Sequence, residues 1–235
     1  MHGVVMGGGV GLSVHTPVRV GTEKTLFAMP ETGIGLFPDV GAGHFLPRIK
    51  QPGLGMFLGL TGERLKGGNC HHAGVVNHMV PASKLEELET RLSKLPPGLS
   101  VEEVHEAVKQ FETLEIGDFS LQDQLENIEK HFTGKETIHQ LMQDLDGKNS
   151  RLSAVLRVSL PILAKHNRIP LMTRMILEAD SEWSSKIAKK LRKMSPTSVA
   201  ITFEQIKRGA DLSISEVFKM EYRLGNFQAI SILDG

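Results

Sequence analysis

A short apolar run, Val4-Val5-Met6, leads straight into Gly7-Gly8-Gly9-Val10-Gly11-Leu12-Ser13. Four glycines in the five positions from 7 to 11 constrain the fold more than any other feature of the chain. Glycine admits backbone conformations closed to other residues and lets another group approach the main chain closely. A strand followed at once by such a loop, then by a helix start, leaves N–H groups free to face a phosphate or a developing oxyanion. The loop lacks a Gly-Lys-Ser/Thr ending and does not space its glycines as a dinucleotide fingerprint does. Close helix–strand packing also selects such glycines, so the loop alone does not separate a site from a packing device.

The residues that follow read as α/β. Val18 to Thr22 and Thr25 to Met29 have strand patterning, and Val75 to Val80 reads as a returning strand closed by Pro81. Gly53 to Leu60 reads as a helix. From Ser83 onward the pattern turns helical. Ser83-Lys84-Leu85-Glu86 predicts a capping box opening a helix to about Leu95. Further helices are predicted over Val101 to Leu114, Leu121 to Phe132, Glu136 to Leu145, Ser195-Pro196 to Arg208 and Ile214 to Leu224. No repeat of the solenoid kind is visible. The expectation is an α/β portion at 1–82 and a helical region at 83–235. Within the latter, Lys148 to Leu177 carries six Lys and Arg and no carboxylate. That run reads as an insertion or exposed segment rather than a surface for an anionic partner.

Charge balance bounds the partners. Lysine plus arginine equals aspartate plus glutamate at 27 each, without the basic excess of a nucleic-acid or acidic-membrane binder. The most apolar internal stretch, Ala154 to Ala164, is broken by Arg157 and Pro161, too short to span a bilayer. The start shows neither a secretory signal nor a presequence, so a soluble protein is expected. A single cysteine, Cys70, gives no intrachain disulfide and reads as a packed thiol. Adjacent His71 and His72 match no metal spacing, and no Gly-x-Ser-x-Gly elbow exists. His44 reads as a surface histidine or a pocket-lining one.

Chemistry therefore falls to two carboxylates. Glu31 and Asp39 share a loop of apolar and turn residues with no basic neighbour close in sequence. Held against apolar walls, such groups have raised pKa values and can act as base, acid or nucleophile. Asp39 reads equally well as a helix N-cap, and Glu31 as a solvent-facing loop residue.

Several runs taken in order resemble the crotonase superfamily of acyl-coenzyme A enzymes. They are the glycine loop, Phe27-Ala28-Met29-Pro30-Glu31, Gly35-Leu36-Phe37-Pro38-Asp39-Val40-Gly41-Ala42-Gly43 and Leu46-Pro47-Arg48. The run Met6 to His15, Leu60 to Gly67, Lys193 to Ser198 and Met220 to Leu224 resemble its 3-hydroxyisobutyryl-CoA hydrolase branch. The resemblance implies a crotonase-like α/β fold, a partial ββα spiral core at 1–82 ahead of the helical region. It implies an acyl-CoA substrate, Gly8 N–H as a donor to the thioester oxygen, and Glu31 and Asp39 as the catalytic, substrate-contacting acids facing one small cavity. No metal or redox cofactor is implied, since coenzyme A is part of the substrate; nor is a nucleic-acid or membrane partner. A homo-oligomer and mitochondrial placement are implied as well. Hydratases of the superfamily carry a second glutamate where this chain has Gly11, and glycine where it has Asp39. Members also have an α/β portion ahead of Met1 that supplies the other oxyanion donor, and a different continuation after Leu224. The rivals are an enoyl-CoA hydratase or isomerase of the same fold, and a non-catalytic fragment that binds a full-length homologue.

Overall fold

A computed structural model describes residues 1–113, 115–147 and 171–233, with side chains described in those ranges except at 171–179, 181 and 227–233. The basic run Lys148 to Leu177 lies outside the described side chains. Five strands of two residues each form the α/β portion: β1 (Val4–Val5), β2 (Val20–Gly21), β3 (Leu26–Phe27), β4 (Leu65–Lys66) and β5 (His78–Met79). β1 runs parallel to β3, with Val5 opposite Phe27, and β3 runs antiparallel to β4, with Phe27 opposite Leu65. β2 runs parallel to β5. The strands are shorter than their sequence patterns predicted.

The strand-to-helix turn after β1 occurs twice. Gly7 (φ 49°, ψ −127°) stands between β1 and α1 (Gly8–Gly11), and Gly67 (φ 54°, ψ −126°) stands between β4 and α4 (Gly68–His72). Side chains rarely adopt this backbone region, so both turns require glycine. Between them lie α2 (Ala42–Phe45) and α3 (Leu54–Thr61).

α3 is the centre of the core. Leu54, Phe57, Leu58 and Leu60 are all buried, an all-round apolar pattern that only an enclosed helix tolerates. Left-handed Gly53 and Gly62 flank it, and Gly62 N–H closes it onto Leu58 O at 2.9 Å. Phe57 meets Phe132 edge to face at 5.3 Å and stacks on Trp183 at 6.1 Å.

The helical region supplies α5 (Leu85–Ser93), α6 (Val101–Lys109), α7 (Leu125–Phe132), α8 (Ile138–Leu145), α9 (Leu171–Leu191), α10 (Pro196–Gly209) and α11 (Ile214–Leu233). One hydrophobic cluster runs from Val5 and Phe27 through α3 to Phe203 and Ile206 of α10. A smaller one joins Val80 to Leu88, Val108 and Phe111 beneath α5 and α6. Ser195 caps α10 through Ser198 N–H with Pro196 at the first turn, as the sequence predicts. The predicted capping box at Ser83 is not formed: a 3-10 turn (Ala82–Lys84) feeds α5, and Lys84 precedes it without a side-chain cap. The capping box stands instead at Ser100 and Glu103, opening α6. Among the described residues no helix is long and apolar enough to cross a membrane.

Arg48 ties the two portions together. Its guanidinium donates to His44 O, Gly209 O, Ala210 O and Leu212 O at 2.7–3.1 Å, satisfying carbonyls at the end of α10. There α10 touches the α2 backbone: a Cβ added at Gly209 would lie 1.9 Å from Gly43 O.

Candidate active site

The parallel pairing of β1 with β3 sets the site. Both strands end at the same sheet edge, so Met6-Gly7-Gly8 and Met29-Pro30-Glu31 leave it side by side, where parallel sheets place ligands. Gly8 is exposed, and its N–H, at the first position of α1, donates to none of the described groups. Its carbonyl is engaged, accepting Leu12 N–H at 3.0 Å.

Glu31 opens a 3-10 turn (Glu31–Ile34) and is only 7% exposed, which removes the solvent-facing reading. The turn is held firmly: Thr32 Oγ1 donates to Leu60 O of α3 at 3.1 Å, and Ser195 N–H donates to Thr32 O. One carboxylate oxygen, Oε2, is buried without a hydrogen-bond partner. Burial, helped by the negative charge of Asp39 and opposed by the pull of its own backbone N–H, raises the Glu31 pKa to about 7. A buried carboxylate with one oxygen unpartnered costs stability, and such strain gathers at sites that use it.

Asp39 is not the predicted N-cap. α2 begins at Ala42 with left-handed Gly41 before it and no side-chain cap, and Asp39 contributes only its carbonyl, to Ala42 N–H. The reason lies in the next residue. Val40 has φ 55°, left-handed backbone that a β-branched side chain adopts only when its surroundings impose it. This kink separates Asp39 from the helix and leaves its exposed side chain free of capping duty.

Three groups impose the kink. His15 Nε2 bonds Val40 O at 2.8 Å. Gln205 Nε2, from α10, donates to Pro38 O at 2.6 Å. Glu221, from α11, accepts Gly41 N–H at 2.8 Å and Gly43 N–H at 3.1 Å. Gln205 Nε2 also donates to Glu221 Oε1 at 2.8 Å. Sequence reasoning assigned no role to Glu221, Gln205 or His15. A signal existed for the first: Glu221 follows buried Val217 by four positions, putting a carboxylate on the inward stripe of its helix.

Gly11 packs against this same loop, where a Cβ would lie 2.7 Å from Val40 Cβ. A side chain at position 11 therefore has no room unless Val40 moves.

Other groups serve the framework. Burial raises the Cys70 pKa to about 11, and its thiol donates to Leu65 O. His44 lines a cleft of about 710 Å³ together with His15, Arg19, Arg48 and His72. Neither that cleft nor two smaller ones is lined by Gly8, Glu31 or Asp39; of the three, Glu31 is buried while Gly8 and Asp39 are exposed. Among the described residues no group of three or more His, Cys, Asp or Glu could hold a metal ion.

A family model described as enoyl-CoA hydratase/isomerase matches residues 1–229. Mitochondrial 3-hydroxyisobutyryl-CoA hydrolase of Danio rerio is 43% identical over 230 residues, covering 95% of this chain and 51% of that protein. The Homo sapiens protein of that name is 39% identical over 228 residues, covering 95% and 50%. This chain thus spans about half the length of these relatives. Among solved structures, a carnitinyl-CoA dehydratase from Mycobacterium thermoresistibile superposes with a TM-score of 0.67 at 27% identity, covering 93% of this chain and 53% of that one. An enoyl-CoA hydratase from Rhodobacter sphaeroides gives 0.62 at 28% identity, covering 94% and 52%. With its glycine turn and acidic loop on neighbouring parallel strands, and with this likeness along nearly its whole length, the chain belongs to the enoyl-CoA hydratase/isomerase family and has the crotonase fold.

Proposed function

We propose that the chain carries the thioester-cleaving site of a 3-hydroxyisobutyryl-CoA hydrolase, the activity named in its relatives. The observations that support this reading lie at Glu31 and Gly11: a buried carboxylate with one oxygen unpartnered is suited to serve as the base, and Val40 fills the space of a side chain at position 11, where the resemblance puts the hydratases' second glutamate. With a pKa near 7, Glu31 is partly ionised at neutral pH and suited to general-base work. It takes a proton from water as the water oxygen adds to the thioester carbonyl. Gly8 N–H bonds the resulting oxyanion. As the tetrahedral species collapses, the carbon–sulfur bond breaks, the thiolate leaves and takes up a proton, and the acid is released. Asp39 orients the hydroxyacyl group and relays the proton.

Each step uses groups of this chain, water and the thioester. Losing one oxyanion donor costs roughly 10²–10³ in rate, so full activity needs a second N–H donor beside Gly8. Exposed Gly8 and Asp39 also need a covering surface to exclude bulk water, as in a larger assembly or a homo-oligomer. The relatives' names support mitochondrial placement.

The test compares 3-hydroxyisobutyryl-CoA hydrolysis with crotonyl-CoA hydration on the purified chain and its Glu31→Gln variant. Hydrolysis that falls at least about 100-fold in the variant supports the reading. Hydration without hydrolysis defeats it, and so does turnover unchanged by Glu31→Gln. Single turnover in ¹⁸O-water tests for nucleophilic attack by Glu31. Label found in Glu31 itself shows that its carboxylate displaced the thiolate and that water then opened the mixed anhydride at the glutamyl carbon.

A further inference from the structure

We infer that Glu221, together with Gln205, is the positioning residue of Asp39, a role that rests on the hydrolase reading for its catalytic consequence. The loop from Pro38 to Gly43 is held from the helical region at three points: Pro38 O by Gln205, and Gly41 N–H and Gly43 N–H by Glu221. His15 takes a fourth, Val40 O. Asp39 lies between these anchors with its own side chain unengaged by capping. The fixed backbone on both sides thus decides where its carboxylate stands.

The clamp needs a carboxylate for a simple reason of hydrogen-bond polarity. Glu221 is 6% exposed and faces donors only: two backbone N–H groups and the Gln205 amide nitrogen. Gln205 Nε2 spends its two hydrogens on Glu221 and Pro38, while its Oε1 is buried without a partner. A glutamine at 221 keeps the shape but turns an amide N–H₂ towards one of those donors. The left-handed Val40 then loses the contacts that impose it, and the loop relaxes. Such an arrangement exceeds what packing asks of α11, since a buried apolar residue fills the same space without burying a charge.

Glu221→Gln tests this in two ways. The first reads amide hydrogen exchange at Gly41 and Gly43, with the Gly62 amide, bonded to Leu58 O, as the control for an intact fold. Exchange at Gly41 and Gly43 rises at least about 10-fold while Gly62 is unchanged. Unaltered exchange at both glycines overturns the clamp. If all three rise together, the carboxylate merely supports the fold, and the inference is equally lost. The second is a cycle with Asp39→Asn on 3-hydroxyisobutyryl-CoA turnover. Glu221→Gln lowers kcat by ~10- to 100-fold with KM little changed when Asp39 is present, and lowers it no further in the Asp39→Asn background. Effects that multiply show that Glu221 does not act through Asp39. A wild-type chain without turnover defeats the hydrolase reading, while the exchange experiment still decides whether the clamp exists.

Discussion

Val40 occupies the space that any side chain at Gly11 would need, with only 2.7 Å between its Cβ and the Cβ position there. Gly11 ends α1 while Val40 lies in the acidic loop, so two segments distant in sequence compete for one space. Gly11→Ala is expected to destabilise by roughly 1–3 kcal/mol through overpacking, read as a lower melting temperature. Much of that cost disappears when Val40→Gly is added, since the clash and the left-handed strain go together. Gly11→Glu does not create crotonyl-CoA hydration, because the new carboxylate has no room to reach the edge.

Burial of Glu31 makes stability depend on pH. Its carboxyl titrates near 4.5 in the unfolded chain and near 7 when folded. Between those values the folded state keeps a proton that the unfolded state has lost, so stability falls as pH rises through the window and stays lower above it. Glu31→Gln removes that penalty. It is expected to stabilise by at most about 3 kcal/mol above pH 7 and by little below pH 4, in denaturant melts at the two pH values.

The same ionisation shapes the rate. If Glu31 is the base, kcat/KM for the thioester rises with pH and levels off above about 7. A profile flat from pH 5 to 8 removes Glu31 from the proton transfer.

Asp39 is exposed and caps nothing, so its side chain contributes little to the fold. Asp39→Asn is expected to change stability by no more than about 0.5 kcal/mol while lowering turnover roughly 10²-fold. A large drop in melting temperature shows a structural duty instead.

His131 is buried between two acids, with Nδ1 on Asp144 at 2.8 Å and Nε2 on Asp180 at 3.0 Å, while Lys130 also pairs with Asp180. Desolvation pushes the Asp180 carboxyl up, but its bonds to Lys130 and His131 outweigh this and hold it below its ordinary value. Its stabilisation is therefore present above the usual aspartate range and is lost as pH falls through the folded pKa. Asp180→Asn is expected to cost roughly 1–3 kcal/mol at pH 7 and progressively less in acid, by chemical denaturation.

The local grammar of the chain was readable without coordinates. The glycine run read as a loop between a strand and a helix start, and Gly7 takes φ 49° there. Three- and four-residue apolar spacing marked α6, α7 and α8, and Ser195-Pro196 marked where α10 begins. The acidic loop was legible too, because Glu31 and Asp39 lacked basic neighbours to explain them. Caps were read less well: Ser83 and Asp39 matched the pattern, while Ser100 made the box. A cap depends on the backbone just before the helix, which tertiary contacts set.

Tertiary structure alone decided the state of the acids. Glu31 is buried because α3 and the start of α10 close over its turn, contacts set by residues such as Leu60 and Ser195 far along the chain. Asp39 is freed from capping because Glu221, 180 residues beyond Gly41, bonds the next turn and holds Val40 in a conformation its own side chain opposes. Periodicity in a sequence records which face of an element is apolar. It does not record which distant polar group meets a given N–H, and that pairing placed the carboxylates.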